Sequence, residues 1–592
     1  MSDIEESSSG SEDAFSSTSR DAEDNSGSDF DPKVPNMCVE AFQEMESLFR
    51  SRYPHPFPSD DWDNGWGDTP RTIVELRMCA LSTTLREKER WWEKVKDKDI
   101  RAKWRAEALE QGQDKANPKW SLTEGMVDYV LDELDGYAKL RDEATGIELA
   151  CYERVWKSDQ LVPQDLRDRL VAVANKLEDI PDAQKDWHPG SNKQVLDLVH
   201  PSLYPVVNGR TRNSTGAHVK WPRPRGDSDY MSDKFQWLPS DFFIDNNGEA
   251  RLTSSYINNV CDADLYPIID KLVTLAVPMW ERVLSDLCRP LSNIRMKVID
   301  DEDAYDDYRG RVGCIWRDEN GRCTDPPYLE NHDDEEAQEE WRARQPQVLP
   351  EALDAYTGAL DIIKNTVPLK GGSIQVIVKL ANIVLTPDNP KYAGGKWHVE
   401  GMLNENIVST FIYYYDEENI TASQLNFRTS IIEPCYHGQD DTDCSTVLYG
   451  MQRDSPLCQD LGGVKTLEGR CIAFPNIYQH QVQPFELKEA SKPGHRKIIA
   501  LFLVDPMTTI PSATKIPPQQ AEWTVDILRQ SLEALCRLPP ELVDLICSFA
   551  SWNTMSRAEA EVYRKELMEE RSVMVKDHTE ARYEIEFNMC EH

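Results

Sequence analysis

The chain has 592 residues, too many for a single hydrophobic core, and a net charge of −38 from 66 basic and 104 acidic side chains. With 40% apolar residues, 16 Trp and 21 Tyr it has the material for packed domains, which excludes global disorder. A field of that sign repels phosphate backbones and anionic lipid heads, so neither general nucleic-acid binding nor membrane-surface binding is expected.

Residues 1–35 are dominated by Ser, Gly, Asp and Glu, with ten acidic residues against the single Arg20 up to Asp31, and read as a disordered acidic tail. The start carries no basic, apolar export signal, and the longest purely apolar run, Ile498 to Val504, has seven residues where a membrane-spanning helix needs about 20. The 14 cysteines include no Cys-x-x-Cys pair. An intracellular location, cytoplasm or nucleus, is expected.

From residue 36 to about 290 the pattern is mainly helical. Apolar residues recur at helical spacing in Thr72–Leu81 and Met126–Leu134, and Ser121 to Glu124 spells a capping box before the second run. The segment 187–260 differs, being rich in Pro and aromatics. It holds a basic cluster, Arg210, Arg212, Lys220, Arg223 and Arg225, readable either as a grip for an anionic substrate or as loop charges balancing acidic neighbours. Leu265 to Leu287 is a further helical run. Residues 301–340 carry fifteen acidic and four basic residues and read as a solvated insertion.

The stretch 291–510 changes period. Short β-type runs, Ile374–Leu385, Ile407–Tyr415, Gln424–Arg428, Arg470–Phe474, His480–Phe485 and Lys497–Val504, are divided by Gly, Pro and Asn. The expected fold class is α+β: a double-stranded β-helix, that is a jelly-roll or cupin-like barrel, with a helical N-terminal region in front. Residues 511–592 read as an extended linker followed by C-terminal helices, the last capped by Ser556 and Glu559.

Within the β region, Trp397-His398-Val399-Glu400-Gly401 places His398 and Glu400 on one face of an extended strand. His480 follows a buried strand and a turn, and Arg496 opens the last strand. Two imidazoles and one carboxylate on one face form the open arrangement that holds non-haem Fe(II), and Arg offers a planar fork for a dicarboxylate. On these residues the sequence resembles the Fe(II)- and 2-oxoglutarate-dependent oxygenases, whose pattern is His-x-Asp/Glu, a distant His and a following Arg. The resemblance implies metal ligation by His398, Glu400 and His480, co-substrate binding by Arg496, and hydroxylation or demethylation with Fe(II), 2-oxoglutarate and dioxygen, on a substrate it does not specify. Glu400 stands where Asp is commoner, and Ile498 stands where many such enzymes have Ser or Thr. A catalytically inactive binding or scaffold barrel and a cupin-type metalloenzyme without 2-oxoglutarate therefore remain as alternatives. The phrases DWHPGSNKQVLDLVHPSLYP, KIPPQQAEW and FNMCEH are also similar to a fungal family known as domain of unknown function forty-two forty-six.

Other side chains invite chemistry less strongly. His437, between Cys435 and Cys444, lacks the spacing of a zinc site. His495 faces the other side of its strand from Arg496, and His188 and His200 bracket a loop where packing is the default role. Alternation should set Tyr414 opposite Tyr413 and Tyr415.

Overall fold

The chain folds around two antiparallel sheets, described from a computed structural model over residues 53–57, 67–221, 230–289, 295–297, 315, 347–434, 442–535 and 538–589. Its helices include α1 (Ile73–Arg86), α2 (Glu124–Leu140), α3 (Leu265–Leu287) and α4 (Arg557–Arg582). The strands that build the sheets are β1 (Trp156–Ser158), β2 (Val195–Val199), β3 (Ser240–Ile244), β4 (Ser373–Leu385), β5 (Ile407–Glu418), β6 (Gln424–Ser430), β7 (Cys458–Lys465), β8 (Cys471–Pro475), β9 (Gln479–Val482) and β10 (Gly494–Val504).

The large sheet runs β1-β8-β5-β10-β4-β3, with β2 also paired to β4 and short strands at both ends. The small sheet runs β7-β6-β9. Among the described residues, hydrogen bonding does not close these strands into a barrel; where the sequence suggests a jelly-roll barrel, the structure has separate antiparallel sheets, these two and two further pairs of short strands. The large sheet also draws β1, β2 and β3 from before residue 290, where the sequence pattern suggests mainly helix. These strands are only three to five residues long, too short for a two-residue period to stand out beside the helical runs.

Long, almost wholly apolar strands arise because both faces of the large sheet are covered. On one face Val376, Val378, Leu380, Phe411, Ile499 and Leu501 share a core with α2 and α3. On the other, Ile377, Ile412, Phe474, Ala500 and Phe502 meet Leu425, Phe427 and Leu461 of the small sheet. Tyr413 and Tyr415 point to the helix side and Tyr414 to the small sheet, as alternation requires.

Two local expectations are corrected. Helix α2 is capped by Thr123, whose side chain accepts from Met126 N, and not by Ser121, whose hydroxyl accepts from Asp114 N at 2.9 Å. Strand β7 has no counterpart among the expected β-runs because Asp460, Gly462 and Gly463 read as a turn; Gly462 has φ +83° beside a bulge in the pairing with β6. Ser556 does cap α4, accepting from Glu559 N at 3.2 Å. Residues 1–35, and residues 301–340 apart from Ile315, lie outside the described residues. Among those described, no helix is long and apolar enough to cross a membrane.

Candidate metal centre

The edge of β9 builds the site. His480 N donates to His398 O at 3.0 Å and His398 N donates to His480 O at 3.3 Å. This reciprocal pair sets the two residues directly opposite one another, with side chains on one face and ring centroids 4.3 Å apart. Residues some eighty apart in sequence thereby become neighbours. His480 is also paired on its other side with Phe427 of β6, which fixes its strand.

Glu400 is held by its backbone. Asn476, buried just after β8, accepts from Glu400 N at 2.8 Å and donates to Glu400 O at 2.9 Å and Ile407 O at 3.0 Å. The chain then turns at Gly401, φ +72°, where a Cβ would lie 2.9 Å from the Ile407 side chain. Glu400 Oε1 ends 3.4 Å from His480 Nε2 and 3.8 Å from His398 Nε2. One ligand atom from each of His398, Glu400 and His480 lies within 4.8 Å of the others.

The protonation pattern suits a cation. His398 Nδ1 sits 2.8 Å from Lys396 O; a carbonyl only accepts, so Nδ1 carries the proton and Nε2 keeps its lone pair towards Glu400. Burial, then the nearby His480 ring, lower the His398 pKa below its ordinary value, which keeps the imidazole neutral. For Glu400, burial raises the pKa, but the contact with His480, together with the neighbouring His398 and Lys379, outweighs it and brings the carboxyl down to about 2. His480 Nδ1 is buried without a hydrogen-bond partner among the described residues.

Helix α4 closes one side. Its Met574 packs with Val399, Met402, Phe57 and Tyr583. Its Arg571 lies 2.7 Å from Glu405 and 3.7 Å above the ring of Trp237. Arg428 lies 4.9 Å from the Trp397 ring.

Arg496 is placed differently from the three. Its Nε and Nη2 both donate to Glu417 Oε2 at 3.1 Å, and its guanidinium lies 4.4 Å from the Phe485 ring. Nη1 is buried without a hydrogen-bond partner among the described residues. His495 pairs with Asp416 at 2.9 Å and stands apart from the centre. His437, Arg223 and Arg225 lie outside the described residues. Arg210 binds Glu559 and the carbonyls of Asn553 and Thr554, and Arg212 binds Gly216 O, so both serve local structure.

A second group, His188, Asp197 and His200, also brings one ligand atom of each residue within 4.8 Å of the others. The sequence points to its two histidines as loop residues but not to Asp197, which β2 carries to them. His188 Nδ1 lies 2.8 Å from Asp197 Oδ2, and Arg564 donates to the same oxygen. His200 Nδ1 accepts from Ser202 N at 3.2 Å.

Comparison with known proteins supplies the family. Residues 124–527 match the model described as protein of unknown function (DUF4246), and residues 32–107 match its N-terminal domain. The chain belongs to the DUF4246 family. No curated protein matches this DUF4246 chain. Among solved structures it is similar to the Fe(II)/(alpha)ketoglutarate-dependent dioxygenase TqaL, at 10% identity and TM-score 0.24, over 60% of this chain and 81% of that one. It is similar to IDO from Bacillus thuringiensis at 9% identity and TM-score 0.15, over 25% of this chain and 51% of that one. The match thus spans about half the length of IDO. AviO1 from Streptomyces viridochromogenes gives 14% identity and TM-score 0.13, over 23% of this chain and 53% of that one.

Proposed function

We propose that this DUF4246 protein is a non-haem Fe(II) oxygenase that uses 2-oxoglutarate and dioxygen to hydroxylate or demethylate a substrate not yet identified. The observation that carries the reading is the convergence of His398, Glu400 and His480, with an anionic carboxylate and a lone pair on His398 Nε2 turned to one point. We also propose that the two sheets are the halves of a double-stranded β-helix. In favour of this, the chain passes from β5 in the large sheet to β6 and β7 in the small one, then alternates through β8, β9 and β10.

The donor set fits Fe(II): two imidazoles and one carboxylate would fill only part of its coordination sphere. When bound, the iron would bring dioxygen, the oxidant, together with 2-oxoglutarate, which would give up two electrons and leave as succinate and carbon dioxide while the substrate gives up the other two. The chain's own residues do the rest. Lys396 O orients the His398 ring, Asn476 fixes Glu400, and the Met574 cluster shields the ligand segment from water. In this reading Arg496 offers Nη1 to the far carboxylate of the co-substrate.

One observation favours a second reading. Glu417 already neutralises Arg496, as suits a cupin-type metalloenzyme that needs no dicarboxylate. Anaerobic addition of 2-oxoglutarate to the Fe(II) protein separates the two readings. The first expects a weak visible charge-transfer band and succinate on admission of air; neither is expected under the second. Arg496→Ala should weaken 2-oxoglutarate binding under the first reading, and an unchanged rate would favour the second.

A further inference from the structure

The two imidazoles of the metal centre meet across one reciprocal backbone pair, and the chain on either side of His398 joins no strand. A single rung of this kind is a hinge: it brings the two segments together but leaves them free to turn about it. Ligand atoms must be held to within about 0.5 Å for a metal to be bound tightly, so the angle between the segments needs a second support.

Arg428 of β6 is placed to give it. Arg428 is the cross-strand partner of Gln479 as Phe427 is of His480, so alternation puts Phe427 and His480 on one face of the small sheet and Arg428 and Gln479 on the other. The Phe474 ring of the large sheet lies 5.0 Å from that of Phe427 and 4.9 Å from that of His480, which makes theirs the inner face. On the outer face Arg428 Nε donates to Gln479 Oε1 at 2.7 Å, and the guanidinium carbon lies over the Trp397 ring, 4.9 Å from its centre. Gln479 immediately precedes His480, and Trp397 immediately precedes His398. One planar cation therefore touches the residue before each histidine.

A guanidinium suits this bridge because its N–H fork can bond an amide oxygen while its charge attracts an indole ring; an ammonium offers one point charge and no fork. The bridge is itself anchored. Gln479, fully buried, donates through Nε2 to Thr579 Oγ1 of α4 at 3.0 Å. Tyr583, just past α4, donates to Ile477 O at 2.8 Å, and its ring lies 5.7 Å from the Arg428 guanidinium.

We propose that Arg428 is a positioning residue for the metal centre: by joining Gln479 to Trp397 it sets the angle and spacing at which His398 and His480 present their ring nitrogens. This rests on the reading of His398, Glu400 and His480 as metal ligands and requires neither 2-oxoglutarate nor a substrate. Arg428 acts through the residue beside each ligand.

The test loads the full chain with Co(II), whose visible absorption reports the geometry of its ligands, and follows each variant by Co(II) titration and by thermal unfolding. Arg428→Met should raise the Co(II) Kd about 10- to 100-fold and change the visible spectrum. Arg428→Lys, which keeps the charge but not the fork, should recover part of the affinity. Arg282→Met is the control: this arginine of α3 lies 5.5 Å from the Trp156 ring, on the helix side of the large sheet, and its loss should lower the Tm with Kd and spectrum unchanged. Arg428→Gln replaces the methionine variant if that one fails to fold. An unchanged Kd and spectrum in Arg428→Met or Arg428→Gln, whatever the Tm, overturns the inference while the metal reading stands. An equal loss of affinity in Arg282→Met also overturns it, because the effect would then be one of general stability. A wild type that binds no Co(II) overturns both.

Discussion

The protein carries two clusters of the same composition, each a carboxylate between two histidines, and they differ in what else touches the carboxylate. At Asp197 a guanidinium from α4 takes Oδ2 and the His188 imidazole shares it, so the negative charge is already answered from within the chain. At Glu400 no Lys or Arg side chain forms an ion pair among the described residues, and Oε1 lies instead 3.4 Å from His480 Nε2 and 3.8 Å from His398 Nε2. The tautomers differ too. His398 Nδ1 is protonated against a carbonyl, freeing Nε2, whereas His200 Nδ1 accepts a backbone N–H, so the proton of the neutral ring sits on Nε2. The first arrangement can receive a cation; the second is a clasp that fastens α4 to β2. Residue composition alone does not make a metal site; the hydrogen bonds on the outer atoms decide it.

Metal retention should respond most strongly to this contrast. His398→Ala or His480→Ala should abolish stoichiometric Fe(II) binding, measured on gel-filtered protein, while His188→Ala and His200→Ala should leave it intact. Loss of iron in the second pair and not in the first would reverse the assignment. Asp197→Ala should act on stability instead. It deprives buried Arg564 of one of its two carboxylates, the other being Asp186, and should cost about 3 kcal/mol by thermal or urea unfolding, with iron content unchanged.

A more modest response is expected at the support of Glu400. Asn476→Ala removes three hydrogen bonds that hold the ligand segment, and should weaken Fe(II) affinity about 10- to 100-fold without abolishing binding. An unchanged affinity would mean that the Gly401 turn alone positions the carboxylate.

The pH dependence of stability should show the weakest difference between the clusters. Burial, aided by the charges of Lys379, Arg564 and His188, holds the His200 pKa well below that of an exposed imidazole, against the attraction of Asp197. The unfolded chain takes up a proton as pH drops below about 6.5 and the folded one does not. Stability from this group is therefore complete above that pH and is lost as the solution is acidified. His200→Gln should flatten the slope of unfolding free energy between about pH 7 and pH 5 relative to wild type. An identical slope in the two proteins would show that His200 carries no such linkage.

The sequence discloses the first cluster because its signal is local: His-x-Glu reads directly as two side chains on one face, and His480 sits where a β-run resumes. It cannot disclose that the two histidines are cross-strand partners, since that depends on the β9 register. Asp197 is not legible because Val195-Leu-Asp-Leu-Val reads as an ordinary alternating strand, and Arg564 because it lies hundreds of residues away on a charged helix. Arg496 is legible as an arginine opening the last strand, but its Glu417 partner follows from a register shift after Tyr414 that no periodicity announces.

The claim that only the first cluster holds metal is best decided by a crystal structure of the full chain grown anaerobically with Fe(II), with the metal located by anomalous scattering at the iron edge. One ion is expected, bound by His398, Glu400 and His480, and none at His188, Asp197 and His200. An ion at the second cluster, or none at the first under saturating iron, would contradict that claim.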